Sequence, residues 1–189
     1  MIKKNHLKNI HTFLGFFNLK SFYNLKLTNI KNACLILFIN QINKNNLELG
    51  HWVSILIFDK NKKGNNNKKI VFLDSYGQNP KFYQKTRFNK YKKITNYLSI
   101  RLQGNNSTTC GAYSIFFIHI ILKYDYDIST IQKIIRNIFL NNNYTNNDKL
   151  VIQYIYTYTN ISKRDCSIYF CNKDFLLNYN SCIKSLCNK

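Results

Sequence analysis

The chain predicts an α+β fold, and three observations carry that prediction. Short apolar runs bounded by polar segments fill the first hundred residues, as strands do. Helical spacing of apolar residues dominates from Cys110 to about residue 160. One stretch of the second half, Cys110 to Lys123, is apolar on nearly all sides, which implies a central helix enclosed by other elements. Strands first and helices second, around one buried helix, is the α+β plan. With 189 residues and 45% apolar content the chain can bury a single sizeable core.

Residues 1–30 are basic with aromatic insertions (Phe13, Phe16, Phe17, Phe22, Tyr23) and predict a short helix and a loop packed on the core. Ala33 to Ile39 is a compact apolar run, a buried strand, and the Asn/Lys/Gln segment 40–46 is a loop. His51 to Phe58 and Ile70 to Leu73 are the next strands, joined by a hairpin loop over residues 59–65. Period two puts His51, Val53, Ile55 and Ile57 on one face, and Trp52, Ser54, Leu56 and Phe58 on the other. Residues 81–93 are basic, aromatic and partly helical, and Thr95 to Leu102 reads as a further strand. Ser129 to Leu140 repeats Ile at helical intervals behind a cap at Ser129 or Thr130. A last helix follows Thr145-Asn146-Asn147-Asp148 as its cap. Residues 1–160 are expected to form one domain, with 161–189 a Cys-containing extension packed on it or trailing from it.

The formal charge is +20, from 28 Lys and Arg against 8 Asp and Glu. A field of that sign favours polyanions through steering and counterion release, so DNA is an expected partner. The alternative is that Lys, like the abundant Asn, fills exposed positions by compositional drift and merely keeps the surface soluble. The polar start Met1–His6 has no hydrophobic core of the secretory type. No apolar stretch approaches the roughly 20 residues that span a bilayer. The six cysteines are therefore expected to be reduced, in a cytosolic or nuclear compartment, with no membrane partner.

Chemistry concentrates in Gln103-Gly104-Asn105-Asn106-Ser107-Thr108-Thr109-Cys110-Gly111. A helix N-terminus and a nearby imidazolium both lower a thiol pKa, and Cys110 opens the apolar helix. An isolated cysteine at a helix start is more often an inert small hydrophobe, so the neighbours decide. His51, at the edge of its strand, can reach a helix end that abuts the sheet. Asp74, ending the next strand, can accept the ring N–H and stabilise the imidazolium. Gln103 supplies an amide donor for a developing oxyanion, beside the backbone N–H near Cys110. Gly111 is expected to let backbone and substrate approach closely. His119, inside the apolar helix, reads as a structural group. Each of these residues alone has an ordinary structural explanation; together they are the parts of a thiol hydrolase.

Three motifs, Gly50-His51-Trp52, Asp74-Ser75-Tyr76-Gly77 and Gln103 to Gly111, resemble those of the adenovirus-type cysteine endopeptidases (adenain family), relatives of the Ulp-type SUMO proteases. Phe13-Leu14-Gly15, Asn32-Ala33-Cys34 and the late helix extend a weaker similarity over residues 12–160. The resemblance implies a papain-like site in which a mixed sheet packs on the central helix. Cys110 would be the nucleophile at that helix's N-terminus, His51 the general base, Asp74 the orienter and Gln103 the oxyanion donor. It further implies processing of capsid precursors at Gly-Gly-x or Gly-x-Gly-like sites during virion maturation. The implied source is a virus, virophage or polinton-like element, with the protein in the virion and the host nucleus or a cytoplasmic viral factory. The protein is expected to act as a monomer with no cofactor required for the chemistry.

Two departures from the family pattern bear on activation. Asp74 stands where the family often has Glu, and Lys92 stands where adenoviral members carry the cysteine that couples an activating peptide. No covalent peptide cofactor is therefore expected. Stimulation by DNA is compatible with Lys81, Lys85, Arg87, Lys90, Lys92 and Lys93. The alternatives are an isopeptidase acting on ubiquitin-like conjugates, or a basic DNA-binding structural protein without catalysis. Cys166, Cys171, Cys182 and Cys187 form a C-x4-C…C-x4-C array that could hold zinc. That spacing is looser than zinc knuckles use, so four ordinary thiols and no metal are expected.

Overall fold

The computed structural model describes residues 12–26, 30, 32–42, 48–59, 68–86, 94–124, 128–139 and 143–158. Its elements run β1 (Thr12–Asn18), α1 (Leu19–Asn24), β2 (Ala33–Ile42), β3 (Glu48–Asp59), β4 (Lys68–Leu73), a 3-10 helix (Pro80–Thr86), β5 (Ile94–Tyr97), α2 (Cys110–Tyr124), α3 (Ile128–Ile138) and α4 (Tyr144–Tyr158). The fold is α+β. The five strands form one mixed sheet in sequence order, with β2, β3 and β4 antiparallel and β1 and β5 added in parallel at the two edges.

The central strands read as continuous apolar runs because both faces of the sheet are covered. On one face Cys34, Ile36, Leu56, Val71 and Leu73 pack against α2, α3 and α4 through Tyr113, Phe116, Phe117, Ile131, Ile135 and Val151. On the other, Leu35, Leu37, Val53, Ile55, Ile57 and Phe72 pack against Phe22 of α1 and Tyr83 of the 3-10 helix. The predicted alternation along β3 holds: Val53, Ile55 and Ile57 go to one cluster, and Leu56 with Trp52 and Phe58 to the other. α2 buries a wide arc that includes Tyr113, Ser114, Phe117, Ile118 and Ile121, while Leu122 on its other side is 41% exposed. His119 is tied to the Tyr154 hydroxyl at 3.0 Å, a structural group as expected.

Five local expectations are corrected. Thr12–Asn18, read as part of a helix and loop, is strand β1. It pairs in parallel with β2 at the sheet edge, where Phe16 is 65% exposed and one face of the strand has no core to signal it. β2 runs on to Ile42, into the segment read as a loop. The strand expected over Thr95 to Leu102 ends at Tyr97. Beyond it Leu102 and Gln103 donate their backbone N–H groups to the Ser75 carbonyl, at 2.8 and 3.0 Å, so the turn after β4 takes the place of a ladder partner. α4 starts before its predicted cap: Asn143 accepts the Asn146 N–H at 3.2 Å, and Asn147 and Asp148 are buried inside the helix. α3 likewise begins at Ile128, which puts Ser129 and Thr130 in its first turn.

Among the described residues no helix is long and apolar enough to cross a membrane. The C-terminal segment with Cys166, Cys171, Cys182 and Cys187 lies outside the described residues. So do Arg87, Lys90, Lys92, Lys93 and the side chain of Lys85; Lys81 is exposed on the 3-10 helix.

Candidate active site

Strand register brings the first two site residues together. β3 and β4 pair with Ile55 opposite Phe72 and Ser54 opposite Leu73. One step on, Asp74 falls opposite Val53, on the face of β3 that also carries His51. β4 has ended there, so His51 projects past the strand into the turn Asp74–Gly77. That turn is closed by the Gly77 N–H donating to the Asp74 carbonyl at 3.0 Å. Gly77 has φ +66°, and a Cβ on it would lie 2.6 Å from the Ile100 carbonyl carbon and 2.7 Å from the Arg101 nitrogen. Only glycine lets the turn sit directly on the segment that carries Arg101 and Gln103.

Asp74 is fully buried, and its carboxylate is held by donors on both oxygens. Oδ1 accepts from His51 Nε2 at 2.7 Å and from the Tyr76 N–H at 2.9 Å. Oδ2 accepts from the Tyr83 hydroxyl at 2.8 Å and from the Gln78 N–H at 3.3 Å. Burial, and then the Asp74 charge, push the Tyr83 phenol well above its ordinary range, so it stays a neutral donor. His51 is 6% exposed and stacks on Tyr76, with ring centroids 4.8 Å apart. Tyr83 lies nearly parallel to the same ring at 6.0 Å.

Cys110 opens α2 from the opposite side of the sheet's end. Its thiol faces His51 and the backbone N–H groups of Trp52 and Gly111, all of which favour the thiolate. With Nε2 committed to Asp74, Nδ1 is the ring nitrogen left for the sulfur. Burial raises the thiol pKa, but the His51 hydrogen bond and charge and the two backbone donors outweigh it, so the thiol lies below its usual 9.0. Burial of His51 disfavours its charge, yet the hydrogen bonds and negative charges of Asp74 and Cys110 raise it from 6.5 to about 9. Both directions favour a thiolate–imidazolium pair. Cys34, buried against β1 without such partners, is pushed up to about 12 by desolvation. Position, not residue type, separates the two thiols.

Gln103 is fully buried beside this pair. Its Oε1 accepts from the Ser75 hydroxyl at 2.6 Å and its Nε2 donates to the Ser107 carbonyl at 2.8 Å. These bonds fix which end of the amide is the donor and leave the second N–H of Nε2 uncommitted. A cavity of about 610 Å³ opens at the site, lined by His51, Trp52, Tyr76, Arg101, Ser107 and Cys110 among others. Gly50 lies at its edge, where a Cβ would fall 1.9 Å from the Phe38 ring. At Gly111 a Cβ would meet Trp52 at 3.6 Å, an ordinary contact, so the protein itself does not approach this backbone tightly.

Sequence reasoning missed the residues that brace this site. Asp148, read as a helix cap, is buried; it accepts from the Thr109 hydroxyl at 2.9 Å and the Tyr113 hydroxyl at 3.1 Å. Asn147 donates to the Leu102 carbonyl at 3.1 Å. α4 thereby ties down both ends of the loop between Leu102 and Cys110. An acid one helix face away from that loop has no short-range signature; only the packing of α4 on α2 reveals it. Comparison of the chain with protein-family models and with curated proteins found no match.

Proposed function

We propose that this protein is a cysteine endopeptidase of the adenain-like type, with Cys110 as nucleophile. The observation that carries this reading is that the buried Asp74 carboxylate holds the His51 ring at 2.7 Å while Cys110 lies close enough to that ring for each to shift the other's pKa. A buried thiol with a lowered pKa facing a buried imidazole with a raised one is chemistry in search of an electrophile.

In the proposed reaction the Cys110 thiolate attacks the scissile carbonyl carbon, and the carbonyl electrons move to oxygen. The free N–H of Gln103 and the backbone N–H of Cys110 are the donors available to that oxyanion. Collapse of the tetrahedral intermediate breaks the C–N bond as His51 gives its Nδ1 proton to the leaving amine. The resulting thioester is hydrolysed by a water that gives its proton to His51, restoring the pair. Asp74 holds the ring orientation throughout, and its four donors keep the carboxylate from swinging away.

The reading of substrates rests on the resemblance of Gly50-His51-Trp52, Asp74-Ser75-Tyr76-Gly77 and Gln103 to Gly111 to the adenain family. It gives capsid and other structural precursors, cut at Gly-Gly-x or Gly-x-Gly-like sites during virion maturation. DNA acts as a stimulating partner, and the chemistry itself uses only side chains and backbone. The test is incubation with the co-encoded capsid proteins, with and without DNA, beside Cys110→Ala. Precursor cleavage in the wild type and none in Cys110→Ala is expected. Cleavage that persists in Cys110→Ala removes the thiol from the mechanism.

A further inference from the structure

The cavity at Cys110 holds a cation that the steps above do not use. Arg101 lines it together with Cys110, His51, Tyr76 and Asn105. Its guanidinium is fixed by neutral groups: Nε donates to the Gln103 carbonyl at 3.0 Å, Nη2 donates to the Asn105 side-chain oxygen, and the group lies 5.0 Å over the Tyr144 ring. Among the described residues the only ion pair is His51 with Asp74, so no described carboxylate lies within ion-pair distance of Arg101. A guanidinium has five N–H donors, and two are engaged. Its charge is felt inside the site: the Tyr76 phenol is pushed up by burial and by Cys110, and Arg101 opposes that push.

We propose that Arg101 forms a carboxylate-binding subsite, which takes an Asp or Glu side chain of the bound peptide. The proposal rests on the peptidase reading and adds a specificity determinant to it. An Arg held by two hydrogen bonds over an aromatic ring keeps its remaining donors in place, which suits the two oxygens of a carboxylate. Holding it in place before binding lowers the ordering cost of recognition. The excess positive charge of the chain steers an acidic segment toward the same cavity. Acidic peptides are the substrate class that this cation selects.

Two alkylating reagents that differ in charge test the subsite without needing a substrate. Iodoacetate and iodoacetamide are reacted with the full chain at pH 6.5, and modification of Cys110 is followed by mass spectrometry. The readout is the ratio of the two rates in wild type, R101Q and K133Q, Lys133 being exposed on α3. R101Q lowers the iodoacetate-to-iodoacetamide ratio about threefold or more, as expected for loss of a unit charge across a small cavity, and K133Q leaves it unchanged. A purely structural role for Arg101 slows both reagents alike and cancels in the ratio. An unchanged ratio in R101Q overturns the proposal, as does an equal fall in K133Q, which would assign the effect to net charge. Slow labelling of the wild type with both reagents, indifferent to His51→Ala, instead defeats the peptidase reading, and the subsite falls with it. A peptide library gives the second readout. Wild-type cleavage sites carry Asp or Glu at one fixed position from the cut, R101Q loses that preference, and R101E exchanges it for Lys or Arg. Identical preferences in wild type and R101Q sink the proposal.

Discussion

Replacing Asp74 by Asn isolates the charge of the buried carboxylate from its shape. The new amide must turn its NH2 group toward one of two pairs of donors. Toward His51 and the Tyr76 N–H it would face a backbone donor that cannot reverse. Toward Tyr83 the hydroxyl can rotate to accept, and only the longest bond, the 3.3 Å one from Gln78, is lost. The substituted side chain therefore keeps its oxygen on the His51 side, and the fold survives with a loss of about 1–3 kcal/mol. What disappears is the negative charge that, with Cys110, holds His51 at about 9 against burial. A carboxylate in direct contact moves a partner's pKa by roughly 1–3, and each pKa step is tenfold in the balance between ion pair and neutral pair. Reactive thiolate near pH 6.5 thus falls roughly tenfold to a thousandfold, measured as the rate of Cys110 alkylation by iodoacetamide across pH. In the wild type the pair persists from the lowered Cys110 value up to about 9, where His51 loses its proton. The stability signs follow. His51, raised on folding, contributes fully below 6.5 and loses its contribution as pH rises through about 9. Cys110, lowered on folding, contributes above 9.0 and loses its contribution as pH falls through its folded value. An Asp74→Asn protein that is folded yet labels at the wild-type rate throughout this range would refute the charge argument.

Two further substitutions probe the scaffold. Gly77→Ala combines positive φ with a Cβ 2.6 Å from backbone. It should cost about 2–4 kcal/mol in urea unfolding; a loss within experimental error would mean the Asp74–Gly77 turn does not pack on Ile100 as described. Asp148→Ala strips the acceptor from the Thr109 and Tyr113 hydroxyls. A loss of about 1–3 kcal/mol is expected, with slower Cys110 labelling as the loop ahead of α2 loosens; unchanged stability would show that the network is dispensable.

Where composition and spacing speak for themselves, the sequence was legible. β2, β3 and β4 are apolar on both faces, and α2 is apolar all round, so each announces itself without a partner. Edge strands do not: β1 leaves Phe16 exposed, and β5 ends early because Ser75 captures the backbone of Leu102 and Gln103. The motifs around His51, Asp74 and Cys110 could be picked out because glycines and polar residues interrupt apolar runs there. Linear order by itself determined the α+β plan, the elements that bear these side chains, and Cys110 at a helix start. Only the tertiary structure decided that register carries Asp74 onto the face of His51, that Tyr83 and two backbone N–H groups complete the carboxylate's shell, and that Asp148 braces the loop before Cys110. The reason is physical. Apolar periodicity is a local property that a chain displays along its length, whereas a buried polar group is specified by partners tens of residues away, which only packing brings within hydrogen-bonding distance.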